Sequence, residues 1–186
     1  MRIVGGRNKG RSLKAPKGQA TRPTSDRARE SVFNILNARL EGGFEGLTVV
    51  NLFAGTGAYG LEALSRGAAQ AVLVDNNREA IKIIEENVVT LGETNRAILQ
   101  KRDATELGSL PHKASPADLV FLDSPYGLNL VEPALKSLLE NHWLAEKAIC
   151  IVEMSAKELI ELPDLFEQID QRKYGKAVIH ILRYSG

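Results

Sequence analysis

A chain of 186 residues is long enough for one domain with a proper core, or one domain plus a small appendage. Its 44% hydrophobic and 25% charged residues are ordinary for a soluble globular protein, no apolar run approaches the ~18 residues of a membrane span, and MRIVGGRNKG holds no apolar signal core, so a cytoplasmic protein is expected. The single cysteine, Cys150, excludes an internal disulfide and reads as a small buried hydrophobe, while His112, His142 and His180 have no ligand-spaced partners, so no metal site is expected.

The net charge of +1 is unevenly spread. Residues 1–30 hold nine Lys/Arg against Asp26 and Glu30, a net +7; the remainder holds 15 against 21 acids, a net −6. A basic arm on an acidic body points to a phosphate-backbone partner.

In chain order, RIVGG and RSLKAP read as the two sides of a short hairpin turned at Asn8-Lys9-Gly10 and ended by Pro16. KGQATRPTS is a loop. Ser25 is placed to cap a helix running to about Leu40, with an apolar face of Ala28, Val32, Phe33, Leu36 and Leu40. From residue 46 strands alternate with helices: LTVVNLFAG, helix AYGLEALSRG, AQAVLVDNN, helix REAIKIIEENVVTLG capped by Asn77 and closed by Gly92, then AILQKRDA and ADLVFLD. Helix LVEPALKSLLENHWL, strand AICIVEM, and a terminal hairpin FEQIDQRKY/KAVIHILRY turned at Gly175 complete the chain. Alternation of this kind predicts a mostly parallel sheet covered on both faces, with an antiparallel terminal hairpin. The expected division is an N-terminal basic extension over 1–41 and a core domain over 42–186.

NLFAGTGAYG contains Gly55-Thr56-Gly57-Ala58-Tyr59-Gly60, a G-x-G-x-x-G between a strand and a helix, and Asp75 ends the next strand 18 residues beyond Gly57. Such glycines let the backbone approach a ligand closely, and the acid can accept both hydroxyls of a ribose. Asp103, ending the following strand, can accept from an adenine amino group. The motif alone suggests NAD. The basic arm ahead of the first strand, the short chain and the FLDSPYG stretch favour S-adenosylmethionine.

In FLDSPYG, Asp123 closes the fourth strand, Pro125 fixes a turn and Tyr126 is aimed by it. The ring offers a stacking face for a base, typically ~1–3 kcal/mol. Asp123 and the Ser124 carbonyl can accept both hydrogens of an exocyclic amine. The aromatic amine is a poor nucleophile; two acceptors favour a more tetrahedral nitrogen and hold its lone pair in line for methyl transfer.

With these stretches in place, the chain resembles the RsmD-like family of 16S ribosomal RNA guanine-N2 methyltransferases, through GRNKGRSLKAPKG, TRPTSDRARESVFNIL, NLFAGTGAYGLEALSRGA, VDNN and FLDSPYG. The resemblance implies a class I AdoMet-dependent methyltransferase, a Rossmann-like α/β fold with a seven-stranded, mostly parallel sheet. It also implies AdoMet as donor and a flipped guanine as acceptor, at position 966 of the small-subunit rRNA. Catalytic positions are then Asp123, Ser124, Pro125 and Tyr126. Cofactor contacts are expected from Asn51, Phe53, Ala54, Gly55, Thr56 and Gly57 on the first strand and loop. Asp75, Asn76, Asp103 and Ala104 supply the rest. Two departures from the family pattern are Ser124, where a proline is usual, and Asn51, where an acid is usual.

The arm's Arg2, Arg7, Lys9, Arg11, Lys14, Lys17 and Arg22 are expected to hold rRNA phosphates and set register without reading bases. Arg22 and Thr24 lie just before the helix, in place to close over the cofactor mouth. The expected partner is 16S rRNA in the small ribosomal subunit, met by a monomer. Rival readings are a DNA or other RNA amino-methyltransferase acting on adenine N6 or cytosine N4, an NAD-dependent oxidoreductase, and a catalytically degraded ribosome-assembly factor.

Overall fold

The computed structural model describes residues 1–16 and 26–186. The seven strands are β1 (Thr48–Leu52), β2 (Gln70–Asp75), β3 (Ala97–Lys101), β4 (Ala117–Asp123), β5 (Leu144–Ser155), β6 (Phe166–Tyr174) and β7 (Ala177–Tyr184). They form one sheet in the order β3-β2-β1-β4-β5-β7-β6. The first five strands pair in parallel, and β7 enters antiparallel between β5 and β6. The fold is therefore α/β of the class I, Rossmann-like kind, as the alternation and the resemblance imply. The chain leaves β1 in one direction for β2 and β3, then returns to lay β4 on the other side. That reversal opens a crevice at the carboxyl ends of β1 and β4, where open α/β sheets bind ligands.

Among the described residues, four helices cover the sheet: α1 (Asp26–Arg39), α2 (Ala58–Ser65), α3 (Arg78–Leu91) and α4 (Val131–Glu140). Every residue of β1 is buried, as a central parallel strand requires. Alternate residues feed two cores. Val49, Leu73, Leu119, Phe121 and Ile151 meet α1, α2 and α3 on one face. Val50, Leu52, Val72, Leu122 and Val152 meet α4 and Trp143 on the other.

Helix α3 has the predicted caps. The Asn77 side chain accepts from the Glu79 and Ala80 amides at 2.7 and 3.3 Å, and Gly92 closes the helix in the left-handed region. In α1 the expected Val32, Phe33 and Leu36 are buried, whereas Ala28 and Leu40 are only partly so. Arg29 joins the buried face at 1% exposure, because the acids Asp26 and Glu62 and the Arg2 carbonyl receive its guanidinium. The Ser25 cap, Lys17, Arg22 and Thr24 lie outside the described residues. Strand β5 starts earlier than AICIVEM, at Leu144, and its register with β4 shifts between the Ala117–Leu144 and Leu119–Ile149 pairs.

The N-terminal hairpin forms one β-bridge, Arg2 to Ser12, in place of two full strands, with backbone hydrogen bonds from Ile3 to Arg11, Gly10 to Ile3 and Leu13 to Met1 across it. It is stabilised by docking. The Arg7 amide caps the last turn of α2 by donating to the Ser65 carbonyl at 2.8 Å, and the Asn8 amide donates to the Ser65 hydroxyl at 2.9 Å. Arg7 is bidentate on the fully buried Glu93, at 3.1 and 2.5 Å.

Candidate active site at the carboxyl ends of the parallel strands

The loop between β1 and α2 is shaped by its glycines for two separate reasons. Gly57 is the N-cap of α2 at φ 79°, a left-handed conformation that L side chains resist, and a Cβ there would press on Leu61 and Ile84 at 3.2 and 3.4 Å. Gly60 brings the helix against the sheet: a Cβ would lie 2.5 Å from Leu73 Cδ2. Phe53 is held at φ 52°, unusual for a side chain of that size, and the next amide, of Ala54, ties the loop to β2 by donating to the Val74 carbonyl at 2.9 Å.

Asp75 ties this loop to the next strand. Its Oδ2 accepts from the Gly55 amide at 2.8 Å and its Oδ1 from the Asn77 amide at 2.9 Å. The neighbouring Asn76 is exposed. Asp103 stands just past β3 and is exposed; its Oδ1 accepts from the Thr105 amide and hydroxyl at 2.8 and 2.7 Å, fixing the turn that follows. Ala104 is buried beneath it. Glycine loop, Asp75 and Asp103 thus follow one another along the ends of β1, β2 and β3.

Two residues expected on the open face are engaged elsewhere. Asn51 is 1% exposed; its Oδ1 accepts from the Gly60 amide at 3.2 Å and its Nδ2 donates to the Leu52 carbonyl at 3.2 Å. It therefore satisfies an amide of the first turn of α2, which an aliphatic residue would leave orphaned. The Thr56 hydroxyl donates to the Met1 sulfur at 3.3 Å, and its carbonyl accepts from Asn87 at 3.0 Å. The first contact is with the arm and the second with α3.

Across the switch point, Asp123 ends β4 and Ser124 is buried, while Pro125 is exposed and Tyr126 partly so. The Tyr126 hydroxyl donates to Glu153 Oε1 at 3.0 Å. Glu153, on β5, is 7% exposed and pairs in register with Asp123. Its Oε2 accepts from the Tyr59 hydroxyl at 3.3 Å. Burial, then the negative charges of Glu153 and Asp123, push the Tyr59 pKa well up, so this hydroxyl stays a donor. Glu153 was not among the expected site residues. Its signal was an acid inside the otherwise apolar AICIVEM. Beyond Ser124 a cleft of about 360 Å³ continues between the start of α4 and the segment after β5, past Asn129, Val131, Met154 and Ile160.

Among the described residues, Arg2, Arg7, Arg11 and Lys14 of the arm have partners on the body. Besides Arg7, Lys14 pairs with Glu86, Arg11 donates to the Thr90 carbonyl, and Arg2 lies 3.5 Å from Asp26. Lys9, at the hairpin tip, is exposed.

Residues 1–183 match the family described as Conserved hypothetical protein 95. The chain is 38% identical over 190 residues to a Bacillus subtilis protein named "Putative rRNA methyltransferase YlbH", covering all of both chains. It is 37% identical over 153 residues to the Escherichia coli K12 "Ribosomal RNA small subunit methyltransferase D", covering 82% of this chain and 74% of that one. A solved structure titled "Putative methyltransferase yhhF from Escherichia coli" superposes with a TM-score of 0.85 at 30% identity, over 100% of this chain and 98% of that one. Matched from end to end in sequence and fold, the chain belongs to this RsmD family of class I methyltransferases.

Proposed function

We propose that this protein uses AdoMet to methylate the exocyclic N2 of a guanine in 16S rRNA within the small ribosomal subunit, at the family's position 966. The observation that carries the reading is one of placement. Asp123, Ser124, Pro125 and Tyr126 leave β4 directly across the switch point from the glycine loop of β1. Donor and acceptor sites of a transfer reaction must meet in this way. The names of the relatives supply the rRNA class.

The donor side fits a nucleoside. Gly55 leaves open space on the loop, where a Cβ would meet nothing nearer than the Phe53 carbonyl at 4.0 Å. Each Asp75 oxygen already accepts one main-chain N–H but has lone pairs left for ribose hydroxyls. Asp103 stands farther along the same rim for an adenine amine. AdoMet, when bound there, supplies an electrophilic methyl on a sulfonium, with a neutral thioether as leaving group.

On the acceptor side, Tyr126 stacks on the flipped guanine, and Asp123 and the Ser124 carbonyl accept the hydrogens of its amine. Ser124 keeps the carbonyl that a proline would present. The amine becomes acidic as its new bond forms, and its proton passes to water or to Asp123. Lys9 and the outward parts of Arg2, Arg7, Arg11 and Lys14 meet phosphates, the last four oriented by their partners on the body; Lys17 and Arg22 would extend this set.

The test is transfer of tritiated methyl from AdoMet to small ribosomal subunits from cells lacking this enzyme, with naked 16S rRNA and duplex DNA alongside. N2-methylguanosine recovered from subunit rRNA is the expected product. N6-methyladenine or N4-methylcytosine, or label on DNA alone, would sink the assignment.

A further inference from the structure

Glu153 lies between Val152 and Met154 in a buried stretch of β5. A carboxylate is kept in such a strand only when donors meet it. Among the described residues, two elements flanking the crevice supply donors: α2 with the Tyr59 hydroxyl and the turn after β4 with the Tyr126 hydroxyl. The Tyr59 side is rigid. Its ring stacks on Phe121 with centroids 4.7 Å apart and lies 6.2 Å from Phe33. The Tyr126 side is more open: it belongs to an exposed turn and is only partly buried.

The same turn is fastened to the end of β5 a second time. Glu158 accepts from the Gly127 amide at 2.6 Å and from the Ser155 amide at 2.8 Å. One carboxylate holds the backbone of the turn, and Glu153 holds the ring that the turn carries. Proline fixes only where the Tyr126 Cα sits; the hydroxyl contact fixes which way the ring faces.

We propose that Glu153 is a positioning residue for the acceptor base: anchored by Tyr59, it sets the orientation of the Tyr126 ring through the tyrosine hydroxyl. This rests on the methyltransferase reading above. It extends the acceptor site from the β4 turn to β5 and α2.

The experiment compares Glu153→Gln, Tyr126→Phe and the double variant on small ribosomal subunits. Tyr126→Phe keeps the stacking ring and removes only the hydroxyl. Each single variant is expected to lower kcat/KM for the RNA about tenfold, with AdoMet affinity within about twofold of wild type and the double variant no worse than either single. In protein carrying 3-fluorotyrosine, Glu153→Gln should move the fluorine resonances of Tyr59 and Tyr126 and leave those of Tyr174 and Tyr184 in place. Losses that multiply in the double variant, an unmoved Tyr126 resonance, or Tyr126→Phe at wild-type kcat/KM would each overturn the proposal. The last result does so even if Glu153→Gln fails to fold. A wild-type protein that transfers no methyl to RNA would instead overturn the underlying reading and this inference with it.

Discussion

Asn87 holds both main-chain groups of Lys14. Its Oδ1 accepts from the Lys14 amide at 2.8 Å and its Nδ2 donates to the Lys14 carbonyl at 3.1 Å, so one side chain of α3 pairs with the arm as a neighbouring strand would. The same Nδ2 donates to the Thr56 carbonyl at 3.0 Å, which ties the arm to the glycine loop. Asn87→Ala removes three hydrogen bonds at a site 2% exposed. The expected loss is about 1–3 kcal/mol of stability by chemical denaturation. AdoMet titration should show weaker binding, because Thr56 is released. Unchanged cofactor affinity in a destabilised variant would mean that the arm and the loop are independent.

Asp123→Ala should abolish methyl transfer while AdoMet binding, measured by calorimetry, stays close to wild type. The carboxylate lies at the end of β4, on the side proposed for the acceptor, whereas the proposed donor side follows β1, β2 and β3. Surviving turnover would remove Asp123 from the acceptor role.

Gly60→Ala should destabilise the protein by about 1–3 kcal/mol, the cost of overpacking a close helix–sheet contact. The added methyl would sit 2.5 Å from a Leu73 methyl at the heart of the β1–α2–β2 unit. Equilibrium unfolding in urea reads this directly, and a variant as stable as wild type would show that Leu73 can turn away.

The arm residues should separate into two behaviours. Lys9→Ala should reduce the slope of log affinity against log salt for RNA by about 1, with no loss of stability. Arg7→Ala should in addition destabilise the fold, since it strips one partner from the fully buried Glu93 and leaves Arg96 and Asn8 as its donors. RNA binding measured over a salt series, alongside thermal melts, tells them apart. An unchanged slope for both would make the hairpin a packing element alone.

Local patterns carried much of this protein in the sequence itself. The alternation of apolar runs with 3.6-residue periodicity set out the order of strands and helices. Asn77 and Gly92 marked the ends of α3, the glycine spacing marked the loop between β1 and α2, and Asp123 to Tyr126 marked the turn after β4. Each is a short-range signal, because caps, turns and periodicity are decided by residues a few positions apart. What tertiary structure alone decided is which long-range partner each polar group meets. Asn51 turns inward to the Gly60 amide, Arg29 is drawn under the arm by Glu62, and the arm's cations settle on Glu86, Thr90 and Glu93, more than 70 residues away. Glu153 is the sharpest case. The sequence offers only an acid in an apolar strand, whereas packing brings Tyr59 and Tyr126 to its two oxygens. A buried charge must be met by donors, and only the closed fold determines which ones.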